Sequence, residues 1–170
     1  MATNSMATQG EDWIVAAIAA IEVGGQKVFA TTEVKPWGGS LQKLRSPADV
    51  IEELFSGAGN RAVRVLEVRD TAKPLEAGGS MELVTTYSIL FGVRNFASPG
   101  EARRGSASYL GINDIRTLIA TALHNKRPDL DDGVWHTNKT EWLGSQITHL
   151  SGNECIAEAQ LAISEVPKGT

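Results

Sequence analysis

The residues able to do chemistry are few and scattered. The densest group is His124, Asp129, Asp131, Asp132 and His136, where imidazole and carboxylate together suit a divalent ion. Their spacing matches neither an HExxH helix nor the glycine pattern of an EF-hand loop, and acidic loops are ordinarily just solvated. His149 falls near the end of an alternating run, where a structural histidine is expected. Serine, histidine and aspartate are all present, yet no G-x-S-x-G elbow marks a nucleophile. Gly57-Ala58-Gly59 and Gly78-Gly79 follow a helical pattern or sit in a loop, whereas a phosphate cradle needs glycines leading into a helix N-terminus. They read as turn residues. The single cysteine, Cys155, has no internal disulfide partner, and its place in an alternating apolar run reads as a buried strand residue rather than a nucleophile. The pattern calls for no enzyme, cofactor or metal.

Composition sets wider limits. The chain has 170 residues, 42% of them hydrophobic and 21% charged, which suits one domain with a useful core. No apolar run approaches the roughly 20 residues a bilayer-spanning helix needs. The apolar stretch Trp13–Val23 is too short, follows Glu11 and Asp12, and lacks a convincing cleavage site, so it reads as a core helix with no targeting segment visible. A net charge of −4 gives no general attraction to nucleic acid, and no sequence-specific nucleic-acid binding or membrane contact is expected.

The elements that position these residues follow from periodicity. Residues 1–10 are small and polar and predict a flexible arm. A first helix is predicted over Glu11–Glu22, with Trp13, Ile14, Ala17, Ile18 and Ile21 on one face and Gly24-Gly25 as its stop. Lys27–Val34 reads as an edge strand, and Pro36-Trp37-Gly38-Gly39 as a turn. Ser46, Pro47 and Asp49 open a second helix that should end near Ser56-Gly57, with Val50, Ile51, Leu54 and Phe55 buried. Arg61–Arg69 reads as a central strand. Around the next stretch the whole chain is organised: a strand over Met81–Asn95, a polar loop over Phe96–Gly105, and a helix over Ser106–His124 carrying Ile112, Ile115, Leu118, Ile119, Ala122 and Leu123. Asn125–Asn138 is a long connection. Strands over Glu141–Leu150 and Glu154–Val166 close the domain around the turn Ser151-Gly152-Asn153, and residues 167–170 are a loose tail. The expected fold is α+β: one domain over residues 11–166, with an antiparallel or mixed sheet of four to five strands packed by about three helices.

Contact surfaces are the remaining functional signal. Trp37 is either a lid on the local core or an exposed anchor for another chain. The loop Phe96–Gly105, with Arg103 and Arg104, is long for a connection between a strand and its covering helix. Trp135 and Trp142 flank His136 and Lys139, one expected under the third helix and the other free to anchor a contact.

The run Tyr87-Ser88-Ile89-Leu90-Phe91-Gly92-Val93-Arg94-Asn95, the Arg104-Gly105 pair, and a helix with Tyr109-Leu110-Gly111 that closes on Ala122-Leu123-His124 resemble the Mu gp37-like family of tailed-phage proteins. The first helix, the Pro-Trp-Gly turn and the two late strands fall in that family's order, so the resemblance covers nearly the whole domain. It implies a tail terminator: a virion protein, assembled in the host cytoplasm, that forms a ring, commonly six-fold, on the head-proximal end of the tail tube. Such a ring stops tube growth and offers a surface for the neck. The implied partners are further copies of itself, the tail tube protein, a neck or head-completion protein and, for a contractile tail, the sheath protein. Within it, Phe96–Gly105 and Lys126–Trp142, including Arg127, are the expected contact regions. Three other readings remain: a different neck or tail-completion protein, a small-ligand-binding α+β module and, more remotely, a metal-dependent hydrolase.

Overall fold

A computed structural model describes residues 6–38, 46–75, 81–130 and 135–167. In chain order the elements are α1 (Met6–Ala19), β1 (Glu22–Val23), β2 (Gln26–Lys27), β3 (Val34–Pro36), α2 (Pro47–Phe55), β4 (Arg61–Pro74) and β5 (Met81–Val93). There follow α3 (Pro99–Arg104), α4 (Ile112–Leu123), β6 (Trp135–Thr137), β7 (Glu141–Ser151) and β8 (Glu154–Pro167). Six strands form one mixed sheet in the order β3-β4-β5-β8, with β6 and β7 both on the far side of β8. Among the described residues only the β3–β4 pair is parallel. The domain is therefore α+β, as its alternating strands predict; among the described residues the sheet has six strands rather than four to five, β1 and β2 form a separate hairpin, and there are four helices rather than about three.

The organising strand is buried on both faces over its second half, which explains why Leu90 interrupts its polar positions. Tyr87, Ile89, Phe91 and Val93 point into the larger core with Ile14 and Ile18 of α1, Ile115 and Ile119 of α4, and Cys155, Ala157, Ala159, Leu161 and Ile163 of β8. Leu90 points the other way, into a smaller core with Leu54, Phe55, Ala62, Leu66 and Ile156. Each large side chain so buried contributes about 1.5–3 kcal/mol. Gly92 lets α2 approach, since a Cβ there would lie 2.8 Å from Leu54 Cδ2. The α2 boundary signals act as read: Ser46 accepts the Asp49 N–H, and Gly57, at φ +66°, lies just past the Ser56 cap.

Several expectations are corrected. Of the ten residues expected as an arm, Met6–Gly10 instead form the opening turns of α1. Small residues permit this: Gly10 lies buried against the Tyr87 ring, and the Tyr87 hydroxyl donates to the Ala7 carbonyl at 3.1 Å. Residues 1–5 and 168–170 lie outside the described residues. Gly24 and Gly25, at φ +61° and +77°, turn the β1–β2 hairpin rather than simply stopping the helix. No strand spans Lys27–Val34. Adjacent Val28 and Phe29 are both buried, which alternation forbids, and Glu33 turns the chain by accepting the Ala30 N–H at 2.8 Å. The strand is Val34–Pro36, so Pro36 belongs to it, and the Trp37 N–H prolongs the pairing to the Val65 carbonyl.

The loop Phe96–Gly105 contains α3. Ser98 accepts the Glu101 N–H, Pro99 opens the first turn, Arg103 and Arg104 occupy the last, and Gly105 at φ +83° caps the end. The following helix starts at Ile112 rather than Ser106, because a turn held by Ser106 N–H on the Tyr109 carbonyl intervenes and Asp114 accepts the Gly111 N–H. Three residues of the expected long connection, Trp135–Thr137, pair as β6 with β8.

Candidate functional site

The one end of the sheet where β4 begins and β5 finishes carries a cleft of about 450 Å³, a size ordinary for small-ligand sites. Five stretches of the chain form it, the first contributing Glu33 from just before β3. Asn60 and Arg61 come from the start of β4; Arg94, Asn95 and Phe96 leave β5; Glu101 comes from α3; Ser106, Tyr109 and Leu110 come from the turn before α4. The pairing of Arg61 with Val93 brings the β4 and β5 stretches together. Asn95, at φ +67°, reverses the chain out of the strand, a conformation asparagine tolerates, and its amide donates to Asn60 Oδ1 at 2.5 Å.

Most charges here are committed to their own chain. Arg94 donates to the Gly59 and Ala58 carbonyls at 2.9 and 3.2 Å and lies 4.7 Å over the Phe55 ring. Glu101 accepts the Ala97 N–H, and the nearly buried Glu33 accepts the Ala30 N–H. Arg61 is different. Its one partner among the described residues is Glu33, at a long 3.9 Å from Nε, and its side chain is 35% exposed. The apolar wall is an edge-to-face pair, Phe96 and Tyr109, with centroids 6.3 Å apart and Tyr109 67% exposed.

The predicted contact residues do not form one patch. Trp37 is half-buried against the smaller core, and its Nε1 meets no acceptor among the described residues. Phe96 is also half-buried and packs on the larger core, on the opposite face of the sheet. Arg103 is half-buried and Arg104 exposed at the end of α3. Lys126 and Arg127 are exposed just past α4. Trp142 packs beside the end of that helix, and its backbone N–H donates to His124 Nδ1 at 3.3 Å. The backbone of Trp135 pairs with Pro167; its side chain lies outside the described residues.

Of the metal candidates, His124, Asp129 and His136 are each exposed, while Asp131 and Asp132 lie outside the described residues. Among the described residues no three histidine, cysteine or carboxylate side chains converge. His149 is half-buried on β7, paired with Ile156. Cys155 is fully buried, and burial pushes its thiol up, opposed by the nearby Arg103 charge. Gly57 and Gly59 are turn residues, as read, whereas Gly78-Gly79 lie outside the described residues.

The sequence reading missed Asn60, Arg61 and Tyr109. Nothing in linear order joins residues 60–61 to 94–97 and 106–110, although the Arg94-Asn95 pair at a strand end was a usable signal for a chain reversal. No family model matches the chain, and no curated protein matches it.

Proposed function

We propose that this chain is a tail terminator of a tailed phage, one subunit of a ring that ends tube growth and presents a surface to the neck. The resemblance of Tyr87–Asn95, Arg104-Gly105 and the Ala122-Leu123-His124 helix end to the Mu gp37-like family motivates the reading. The structural observation that supports it is that the sheet ends on two unlike edges, each unpaired along its outer side among the described residues. On one side β7, eleven residues long, pairs only with β8 among the described residues and exposes Leu143, Ile147 and Leu150. On the other, among the described residues β3 covers β4 only at Val63–Val65, and further along the β4–β5 hairpin Val68 and Met81 are exposed. Two different surfaces on one subunit suit head-to-tail closure into a ring. A long edge with exposed apolar side chains is otherwise a liability for a lone domain.

The function is tested by tail length in lysates of a virus with an early stop codon in this gene, measured by electron microscopy. Overlong, uneven tubes are expected. Tails of normal length beside unattached filled heads would move the protein to the joining step, and normal virions would overturn the tail reading. Charge reversal at Arg103 and Arg104 tests the α3 contact: wild-type tail assembly and joining in that variant would exclude it. The small-ligand reading has its own supporting observation, the cleft at Arg61.

A further inference from the structure

The cleft holds an unbalanced set of hydrogen-bonding groups. Its carboxylates and Arg94 have partners within the chain, as described above, whereas the terminal nitrogens of Arg61 make no hydrogen bond among the described residues. A guanidinium offers five N–H donors in a planar fork that matches a carboxylate. The amide pair beside it adds capacity, because the Asn95-to-Asn60 bond uses the Asn60 oxygen, and the Asn60 NH₂ has no acceptor among the described residues. The Tyr109 ring, braced edge-on by Phe96, forms an apolar wall on the other side. Glu33 and Glu101 also line the space, and they set the limit on charge: a dianion would meet two carboxylates, with Arg61, held only by its long contact to Glu33, as the one cation whose terminal nitrogens have no hydrogen bond among the described residues.

We propose that this cleft binds a monocarboxylate with a flat apolar body, the carboxylate on Arg61 and Asn60 and the body against Tyr109 and Phe96. The inference is independent of the tail reading, since the cleft is complete within one chain. The carboxylate has two chemical sources, a free small acid or the carboxylate of a peptide segment.

The test is NMR titration of the ¹⁵N-labelled full chain with 3-phenylpropanoate, its neutral amide, inorganic phosphate and an end-blocked Phe-Glu dipeptide. The expected result is saturable shifts at Asn60, Arg61, Asn95 and Tyr109 with 3-phenylpropanoate, at a Kd of about 1–10 mM as befits so small a ligand. The blocked peptide binding more tightly would assign the site to a protein segment, and weaker binding would assign it to a free acid. Arg61→Gln should weaken binding at least tenfold. Because that change also removes the Glu33 contact, Tyr109→Ala is the second variant: its exposed ring is not needed for folding, and its loss should weaken binding several-fold. Absence of saturable shifts would overturn the proposal, as would equal shifts from the amide or phosphate, or undiminished binding by Tyr109→Ala.

Discussion

Replacing Gly10 by alanine tests whether the N-terminal turns of α1 are docked. In a solvated helix the change stabilises by about 1 kcal/mol, because glycine carries the larger entropic cost. Here the new Cβ would stand 2.0 Å from the Tyr87 hydroxyl oxygen and 2.6 Å from Cζ, so helix or ring must move. Overpacking of this kind costs about 1–3 kcal/mol. Displacing the ring also breaks its bond to the Ala7 carbonyl, about 0.5–1.5 kcal/mol. After the propensity gain is subtracted, the net destabilisation is about 2 kcal/mol, a fall in Tm of roughly 4–8 °C for a chain of this size. Urea and thermal unfolding followed by circular dichroism measure it. Tyr87→Phe in the Gly10→Ala background should recover part of the loss, since the closest atom is gone while Cζ remains. A Gly10→Ala variant more stable than wild type would refute the docked helix and restore a loose arm over these residues.

Three further outcomes are expected. Glu67 is held above the usual carboxylate range by burial, then by the charge of Asp70, a hydrogen bond to Asp70 and the charge of Glu11. Its raised folded-state pKa means that stability falls as pH rises from the unfolded value near 4.5 through the folded one. Glu67→Gln should therefore be the more stable chain at pH 7, with the gap closing as pH drops below that value; a gap independent of pH in urea titrations would contradict the assignment. Ser98→Ala removes the cap bond to the Glu101 N–H and should cost about 1 kcal/mol, read as a lowered urea midpoint, whereas an uncapped polar loop would lose nothing. The Cys155 thiol, fully buried and shifted up, should react with a disulfide reagent only at the rate of unfolding; fast labelling at pH 8 would place it at the surface.

Where one physical rule acts alone, the sequence is legible. The alternation of Cys155, Ala157, Ala159, Leu161 and Ile163 marks the inward face of β8, Ser46-Pro47 chemistry marks the cap of α2, and the structure has both. Legibility fails where two rules compete. Ser98, Pro99 and Glu101 repeat the spacing of Ser46, Pro47 and Asp49, but the helix they open is six residues long and buries only Ala102, so it leaves no amphipathic stripe to read. Val28 and Phe29 carry strand propensity, yet the proximity of both to the core overrides pairing. The cleft was invisible because it is made by register: only once Arg61 faces Val93 do Asn60, Asn95 and Tyr109 become neighbours.

The position of β8 has a consequence for how the molecule comes together. It is the last strand in order but lies inside the sheet, hydrogen-bonded to β5 along one side and to β6 and β7 along the other. The β4–β5 hairpin is local and can form early, whereas partners such as Leu83 and Glu165 must meet across most of the intervening chain. Until β8 inserts, Tyr87, Ile89 and Phe91 lack the strand that completes their layer, and the apolar faces of α1 and α4 have only half a floor. The topology predicts a late closure rather than a growth from the N-terminus, with a nascent chain stalled before Glu154 expected to be open and adhesive. Progressive truncations from the C-terminal side should accordingly lose structure all at once as β8 is shortened, not strand by strand.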